Sequence, residues 1–244
     1  MLLAAFSDVH GNLHALEAVL ADVARRAPEQ LVCLGDLVGY GAFPNEVIET
    51  IRAAGMPTIM GNYDDGVGFD RPECGCAYTD PAERARGDES LRWAQARVTP
   101  ENKAWLRALP RELRLSTGGR QVLCVHGSPR RQNEYLYEDR PDQSLARMFA
   151  DLAADVVVCG HTHLPYHRLV GGVHLVNVGS AGKPKDGDPR AAYALITIGD
   201  EVRAEFPRVD YDVEAAVHAI EATNLPAEFA ADLRTGGRRP KEHT

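Results

Sequence analysis

Five apolar, strand-like segments of the chain end in residues able to hold a metal ion: Asp8-Val9-His10, Gly35-Asp36, Gly61-Asn62, His126-Gly127 and Gly160-His161-Thr162-His163. Taken singly each is ordinary, because a strand commonly stops at Asp, Asn or Gly. Their coincidence is not. The chain has nine histidines, and four of them, His10, His126, His161 and His163, stand at these ends. Imidazole, carboxylate and amide oxygen together suit Mn, Fe, Zn or Ni better than Ca. Asp8, His10, Asp36, Asn62, His126, His161 and His163 are too many ligands for one transition ion, but they suit two ions that share a bridge. The neighbouring glycines let the backbone turn sharply and approach an ion or a phosphate closely. His14, His167, His174, His218 and His243 lack the strand-end setting and are left out of the site.

The elements that must position these residues begin as alternating strands and helices. Leu2 to Ser7 is an apolar run, and Leu13, Leu16, Val19, Leu20 and Val23 follow at helical spacing behind Asn12, an N-cap type. Leu31 to Leu34 predicts a second strand, Val47, Ile48 and Ile51 a second helix stopped by Gly55, and Pro57 to Met60 a third strand. Such an order implies parallel strands whose carboxyl ends meet at one edge, the usual place for a site. Residues 63–90 break the pattern with Asp, Glu, Arg, Gly and Pro, and read as a surface insertion that could cover or gate the site. Thr99-Pro100-Glu101 opens a helix, and Gly118-Gly119, Gly171-Gly172 and Gly199-Asp200 mark hairpins. Residues 129–143 read as loop, 145–153 as helix, Val156 to Cys159 as strand, and 212–234 as one or two helices. The expectation is one α/β domain over residues 1–235, a sandwich of two mixed sheets with helices outside, followed by a disordered tail at 236–244.

Composition narrows the class. A chain of 244 residues buries a large core without metal or disulfide support. The apolar runs are strand-sized, far short of a membrane span, and the N-terminus lacks a basic leader, so a cytoplasmic protein with no membrane partner is expected. A net charge of −8 argues against an extended nucleic-acid or anionic membrane surface. It leaves room for a small phosphate substrate, because bound cations dominate the field of their own site. Of five cysteines, Cys33, Cys124 and Cys159 lie in apolar runs and read as small buried hydrophobes. Cys74 and Cys76 have no second pair to complete a zinc site and read as ordinary reduced thiols. Nothing in the sequence sets an oligomeric state.

The ordered set Asp8-x-His10-Gly11-Asn12, Gly35-Asp36, Gly61-Asn62, His126-Gly127 and Gly160-His161-x-His163 resembles the calcineurin-like metallophosphoesterases, in particular their small prokaryotic phosphodiesterase-like branch. Asn177-Val178-Gly179-Ser180 is similar to that branch's Asn-Pro-Gly-Ser segment. The resemblance implies a four-layer α-β-β-α sandwich. It implies one ion held by Asp8, His10 and His163, a second by Asn62, His126 and His161, and Asp36 bridging both, with Mn the first expectation. Two such ions, about 3.5–4 Å apart, would present a bridging hydroxide in line with phosphorus and neutralise charge on the phosphoryl oxygens. Ser128 and Ser180 then need no nucleophilic role.

Two departures from the family pattern bear on catalysis. Many members carry Gly-Asn-His-Asp/Glu, where the His assists the leaving group; here the segment is Gly61-Asn62-Tyr63-Asp64. Asp64 is a candidate acid, or a residue holding a ligating histidine, and joins Asp36 and Asn62 as a candidate catalytic residue. The Asp-Arg-Gly of protein Ser/Thr phosphatases is absent from Gly35-Asp36-Leu37-Val38-Gly39-Tyr40-Gly41, which removes a phosphate-gripping arginine. Asn12, Tyr63 and Arg190 are the candidate substrate contacts, with Asn12 equally fitted to be a helix cap. Arg130, Arg131, Lys183 and Lys185 read as surface charges. The expected activity is hydrolysis of small phosphodiesters or phosphomonoesters. The alternatives are a protein or nucleotide phosphatase of the same superfamily and a non-catalytic scaffold like the retromer subunit of this fold; the complete ligand set argues against a scaffold.

Overall fold

Alternation along the first strand decides the layering. In a computed structural model of the chain, which describes residues 1–237, Leu3 and Ala5 of β1 (Leu2–Phe6) face one way and Ala4 and Phe6 the other, as the two-residue period of a strand requires. All four are fully buried, so β1 needs cover on both faces.

From β1 the chain passes through α1 (Leu13–Arg26) to β2 (Gln30–Cys33), and then through α2 (Pro44–Ala53), α3 (Asn62–Gly68), α4 (Pro81–Arg97) and α5 (Pro100–Ala108). The hairpin β3 (Glu112–Thr117) and β4 (Arg120–Val125) precedes α6 (Asp142–Phe149) and β5 (Val156–Cys159). A second hairpin, β6 (Pro165–Val170) and β7 (Val173–Val178), is followed by β8 (Ala191–Ala192), β9 (Ala194–Ile198), β10 (Val202–Glu205) and β11 (Arg208–Val209). The helices α7 (Val213–Glu221) and α8 (Ala227–Thr235) come last.

One sheet has the order β10-β9-β1-β2 and the other β3-β4-β5-β7-β6; β11 and β8 form a short separate pair. Both sheets are mixed. β1 pairs parallel with β2 and antiparallel with β9, while β5 pairs parallel with both β4 and β7. Leu3, Ala5, Val32 and Ile196 of the first sheet meet Val122, Cys124, Val158 and Val176 of the second in a shared inner core. Ala4, Phe6 and Cys33 pack outward on the apolar faces of α1 and α2. Leu123, Val157 and Cys159 pack outward against Leu145 and Phe149 of α6. The four layers are therefore helices, sheet, sheet, helix. Burying each Val or Leu of these interfaces contributes about 1.5–3 kcal/mol, and cutting fully buried Ile196 to Ala would cost about 2–5 kcal/mol.

Local chemistry explains most boundaries. Asn12 caps α1 by accepting from Ala15 N–H at 3.1 Å, and Thr99 caps α5 by accepting from Asn102 N–H at 3.2 Å, ahead of Pro100 at the first helical position. The third strand expected at Pro57 to Met60 shrinks to a single parallel bridge between Cys33 and Thr58, because Met60 N–H turns away to Pro110 O at 2.8 Å. Residues 63–90, expected to be a surface insertion, instead contain α3 and the first half of α4. Asn62, Tyr63, Asp64 and Val67 of α3 are buried. In the arginine- and glutamate-rich α4 only Gly87, Ser90, Leu91 and Ala94 are buried, which hid its helical period. Of the tail expected at 236–244, Gly236 and Gly237 close α8, Gly236 in the left-handed region at φ 60°; residues 238–244 lie outside the described residues. Among the described residues no helix is long and apolar enough to cross a membrane.

Candidate active site

Every expected ligand lies just beyond the carboxyl end of a strand or of the Thr58 bridge, six on loops and Asn62 at the start of α3. Asp8 and His10 follow β1, Asp36 follows β2, Asn62 follows Thr58, His126 follows β4, and His161 and His163 follow β5. The structure brings all seven together at one edge shared by the two sheets. Asp8, His10 and His163 form one group of metal-capable atoms and Asp36, His126 and His161 a second, the atoms of each lying within 4.8 Å of one another. Asn62 joins the second group, its Oδ1 lying 3.0 Å from His126 Nε2. Asp36 Oδ2 stands between the groups, 3.8 Å from His10 Nε2 and 3.4 Å from His126 Nε2.

Five of the seven occupy the left-handed backbone region, with φ of 56° at Asp8, 50° at His10, 55° at Asp36, 67° at His161 and 62° at His163. Only four other non-glycine residues among those described do so, which makes the site the main reservoir of backbone strain. The neighbouring glycines serve a purpose other than the ion approach expected from sequence. A Cβ on Gly61 would run into the Asp36 carboxylate and backbone, and one on Gly160 into Ser7 and Asp8. They let the ligand loops approach one another.

Each carboxylate is half used. Asp8 Oδ2 accepts from His161 N–H at 2.9 Å and Asp36 Oδ1 from Tyr63 N–H at 2.8 Å, fixing both groups and leaving Asp8 Oδ1 and Asp36 Oδ2 to face the cluster. The imidazoles are fixed similarly. His10 Nδ1 donates to Val38 O at 3.0 Å, His126 Nδ1 to Leu34 O at 2.8 Å, and His163 Nδ1 to Lys183 O. Donation from Nδ1 leaves Nε2 of a neutral ring as a lone pair. Nε2 of His10 and His163 then face each other across 3.2 Å, and Asp8 Oδ1 and His161 Nε2 are buried with no hydrogen-bond partner. Converging buried acceptors with no donor between them are costly alone and are what a cation would satisfy. The residues fit a metal centre.

Charge states agree. Burial holds His10 down to about 3 and His161 down to about 3, with the rings of His163 and His126 adding to it, so both are neutral. Burial and the nearby Lys185 ammonium depress His163 too. His126 is the exception. Burial opposes its charged form, but Asp36 and Asp8 outweigh that and raise it to about 10. Both Asp8 and Asp36 are held below the usual carboxylate range against the cost of burial, chiefly by His163 and His126 respectively.

The other expected site residues fall differently. Asp64, 0% exposed, holds no histidine; it accepts from the N–H groups of Asp36, Leu37 and Gly61 at 2.8, 2.9 and 2.9 Å. It pins the Asp36 loop to the start of α3, and burial and the Asp36 charge push its pKa up. Tyr63 is not at the mouth of the site. It is 1% exposed, its hydroxyl 3.1 Å from that of Tyr78, its ring edge-on to His10. Asn12 spends its amide hydrogens on Gly182 O at 3.0 Å and the Tyr211 hydroxyl at 3.2 Å, leaving none for a phosphate. Arg190 is a surface residue paired with Asp188 at 2.7 Å. Cys74 and Cys76 are joined as a disulfide rather than left as thiols, while Cys33, Cys124 and Cys159 are free and buried. The Asn62 amide donates to Cys74 O at 3.1 Å and Cys76 Sγ at 3.3 Å, so this pair aims its Oδ1 at the cluster.

Several functional groups were invisible in the sequence. The orienting carbonyls of Leu34, Val38 and Lys183 are main-chain groups that no residue type announces. The Asn177-Val178-Gly179-Ser180 segment, which the resemblance did single out, ties the end of β7 to two ligand loops: Ser180 Oγ donates to Asp8 O at 2.8 Å and Asn177 Nδ2 to Gly160 O at 2.8 Å. The Tyr135 ring lies 3.9 Å from that of His161.

The sequence profile of the calcineurin-like phosphoesterase superfamily domain matches residues 1–201. An uncharacterised protein of Methanocaldococcus jannaschii is 32% identical over 252 residues, covering 96% of this chain and 98% of its own length. Phosphodiesterase YfcE of Escherichia coli is 27% identical over 200 residues, covering 78% of this chain and 84% of its own. A metallophosphoesterase from Sphaerobacter thermophilus superposes with a TM-score of 0.78 at 29% identity, over 97% of this chain and 100% of that one. With the ligand loops at the strand ends and this match over most of its length, the chain belongs to the calcineurin-like phosphoesterase superfamily and is a phosphoric ester hydrolase.

Proposed function

We propose that the protein hydrolyses small phosphate esters, phosphodiesters among them, at a centre of two divalent transition ions, Mn before Fe, Zn or Ni. Asp8, His10 and His163 would hold one ion, Asn62, His126 and His161 the other, and Asp36 both. Such ions, when bound, supply an activated water as nucleophile and offset the charge that builds on the phosphoryl oxygens. The observation that carries the reading is the set of inward acceptors without donors, Asp8 Oδ1, His161 Nε2 and the facing Nε2 atoms of His10 and His163. The likeness to a phosphodiesterase supports the diester.

The protein's own part is positioning. Backbone N–H groups of His161 and Tyr63 fix the carboxylates, carbonyls fix three of the four imidazoles, and Asp64 locks the Asp36 loop, so most of the ligand atoms are set before substrate arrives. Among the described residues no histidine outside the ligand set approaches the cluster to protonate a leaving group, and Tyr63 is sealed in the core. Lys183 is paired with Asp232 at 3.0 Å and stays a structural cation.

Metal analysis of the purified protein, joined to assays of aryl diesters, aryl monoesters, cyclic nucleotides and a phosphopeptide, tests the proposal. The expected result is close to two bound ions per chain and highest turnover on a small ester. Undiminished hydrolysis by chelated, metal-free protein, or a phosphopeptide far ahead of every small ester, would overturn it.

A further inference from the structure

An aromatic pile rises from the metal-capable cluster. Tyr135 lies over the His161 ring at 3.9 Å, and Tyr137 lies parallel to Tyr135, with centroids 5.5 Å apart and planes within 10°. Tyr137 is 46% exposed, a rare state for a large ring in this molecule. Both rings line a cleft of about 560 Å³ that also reaches Thr162, between the two ligand histidines, and Lys183, whose carbonyl orients His163. The cleft therefore borders the ligand loops, and its size suits a whole small-molecule substrate rather than a phosphate alone. Its far walls are polar as well as aromatic, with Thr79, Glu83 and Arg86 beside Tyr78. Lys185 lines it as well, near the carboxylates of Glu83 and Asp232.

Resting on the two-metal reading above, we infer that the substrate is a nucleotide ester whose base stacks on the open face of Tyr137 while its phosphate lies at the cluster. A planar π-system is what a stepped pair of parallel tyrosines can add to, and offset stacking is the favoured geometry for it. A plain hydrocarbon or phenyl arm would gain from the rings but leave the polar wall unused; a base has donors and acceptors on its edge for that wall. The Lys185 ammonium on the cleft wall supplies a cation for the sugar-phosphate portion. A long nucleic acid is not implied, because the net charge of −8 opposes one. The base, not the length of the chain, is what this cleft recognises.

Three diesters with one leaving group, p-nitrophenol, test the inference: thymidine 5′-(p-nitrophenyl) phosphate, phenyl p-nitrophenyl phosphate and methyl p-nitrophenyl phosphate. Base–aromatic stacking predicts kcat/KM for the thymidine ester about tenfold above the methyl ester, mainly through KM. Tyr137→Ala should bring that ratio near one, and Tyr137→Phe, which keeps the ring, should preserve it. Calorimetry on the metal-loaded protein should show adenosine 5′-monophosphate binding about tenfold tighter than ribose 5-phosphate, again only while position 137 is aromatic. A phenyl ester that matches the thymidine ester, a ratio near one in the native protein, or a ratio unmoved by Tyr137→Ala would each overturn the inference. Turnover of the methyl ester reports separately on the two-metal reading, so failure of one is distinguishable from failure of the other.

Discussion

With metal stripped from both, Asp36→Gly should be more stable than Asp36→Ala. Asp36 is held at φ 55°, and a Cβ in that left-handed region costs about 1–2 kcal/mol. Aspartate tolerates the region better than alanine does, so the alanine variant carries the strain in full. Glycine escapes it but gives back about 0.5–1 kcal/mol through its greater freedom in the unfolded chain. The net advantage of glycine is about 1 kcal/mol, or roughly 2–4 °C in Tm for a chain of this size. His126 is the internal control, because it is not among the left-handed residues. There the order should reverse, His126→Gly falling about 0.5–1 kcal/mol below His126→Ala. The assay is urea or thermal unfolding of the four variants in excess chelator at one pH. Both side-chain losses are common to each pair, so only the backbone term survives the comparison. Glycine below alanine at both positions would refute the idea that the ligand loops are strained.

Other outcomes follow from the same geometry. Chelation should abolish ester hydrolysis and added Mn should restore it at least partly, with Asp36→Ala the most damaging ligand change; both are read by steady-state assay with metal analysis. With no further histidine at the cluster among the described residues, log kcat/KM should fall steeply with leaving-group pKa across an aryl-to-alkyl diester series, and a flat series would show that an acid is at work. Tyr63→His, which inserts a second titratable ring behind His10, should lower both stability and activity instead of rescuing alkyl esters; improved turnover of alkyl esters would contradict the buried placement. Glu134, which accepts from Ser128 Oγ at 2.5 Å and pairs with Arg130 and with Arg140 at 3.0 Å, is held down to about 2 by these partners against the cost of burial. Its contribution, on the order of 2 kcal/mol after solvent screening, is present above the usual value of 4.5 and lost as pH falls toward 2, so Glu134→Gln should flatten the acid limb of stability against pH.

The sequence was legible where a residue type and its place in a strand or turn coincide. The Asn12 and Thr99 caps, the hairpins at Gly118-Gly119 and Gly171-Gly172, and the convergence of seven ligand-type residues at strand ends all follow from local chemistry. Long-range contacts were not legible. Tyr63 stands in a motif position that suggests substrate, yet the hydroxyl of Tyr78 gives it a partner inside the core. Asp64 faces backbone N–H groups, and main-chain donors leave no mark in a sequence. The charges of α4 masked its buried stripe, and the joining of Cys74 to Cys76 depends on a turn that the spacing alone does not determine.

The family match stops at residue 201, but the wall of the cleft does not. Phe229 of α8 packs edge-on to Tyr40 at 5.0 Å, and Asp232 reaches back to Lys183 beside the loop of His163. Both residues line the cleft, and both lie in α8, outside the matched segment. Part of the cleft wall is thus written in a different stretch of the chain from the ligands. A lineage can exchange or rebuild its terminal helical pair and change what it accepts without disturbing a single ligand. Chimeras that graft this pair onto a relative are the natural way to move a preference while leaving the chemistry where it was.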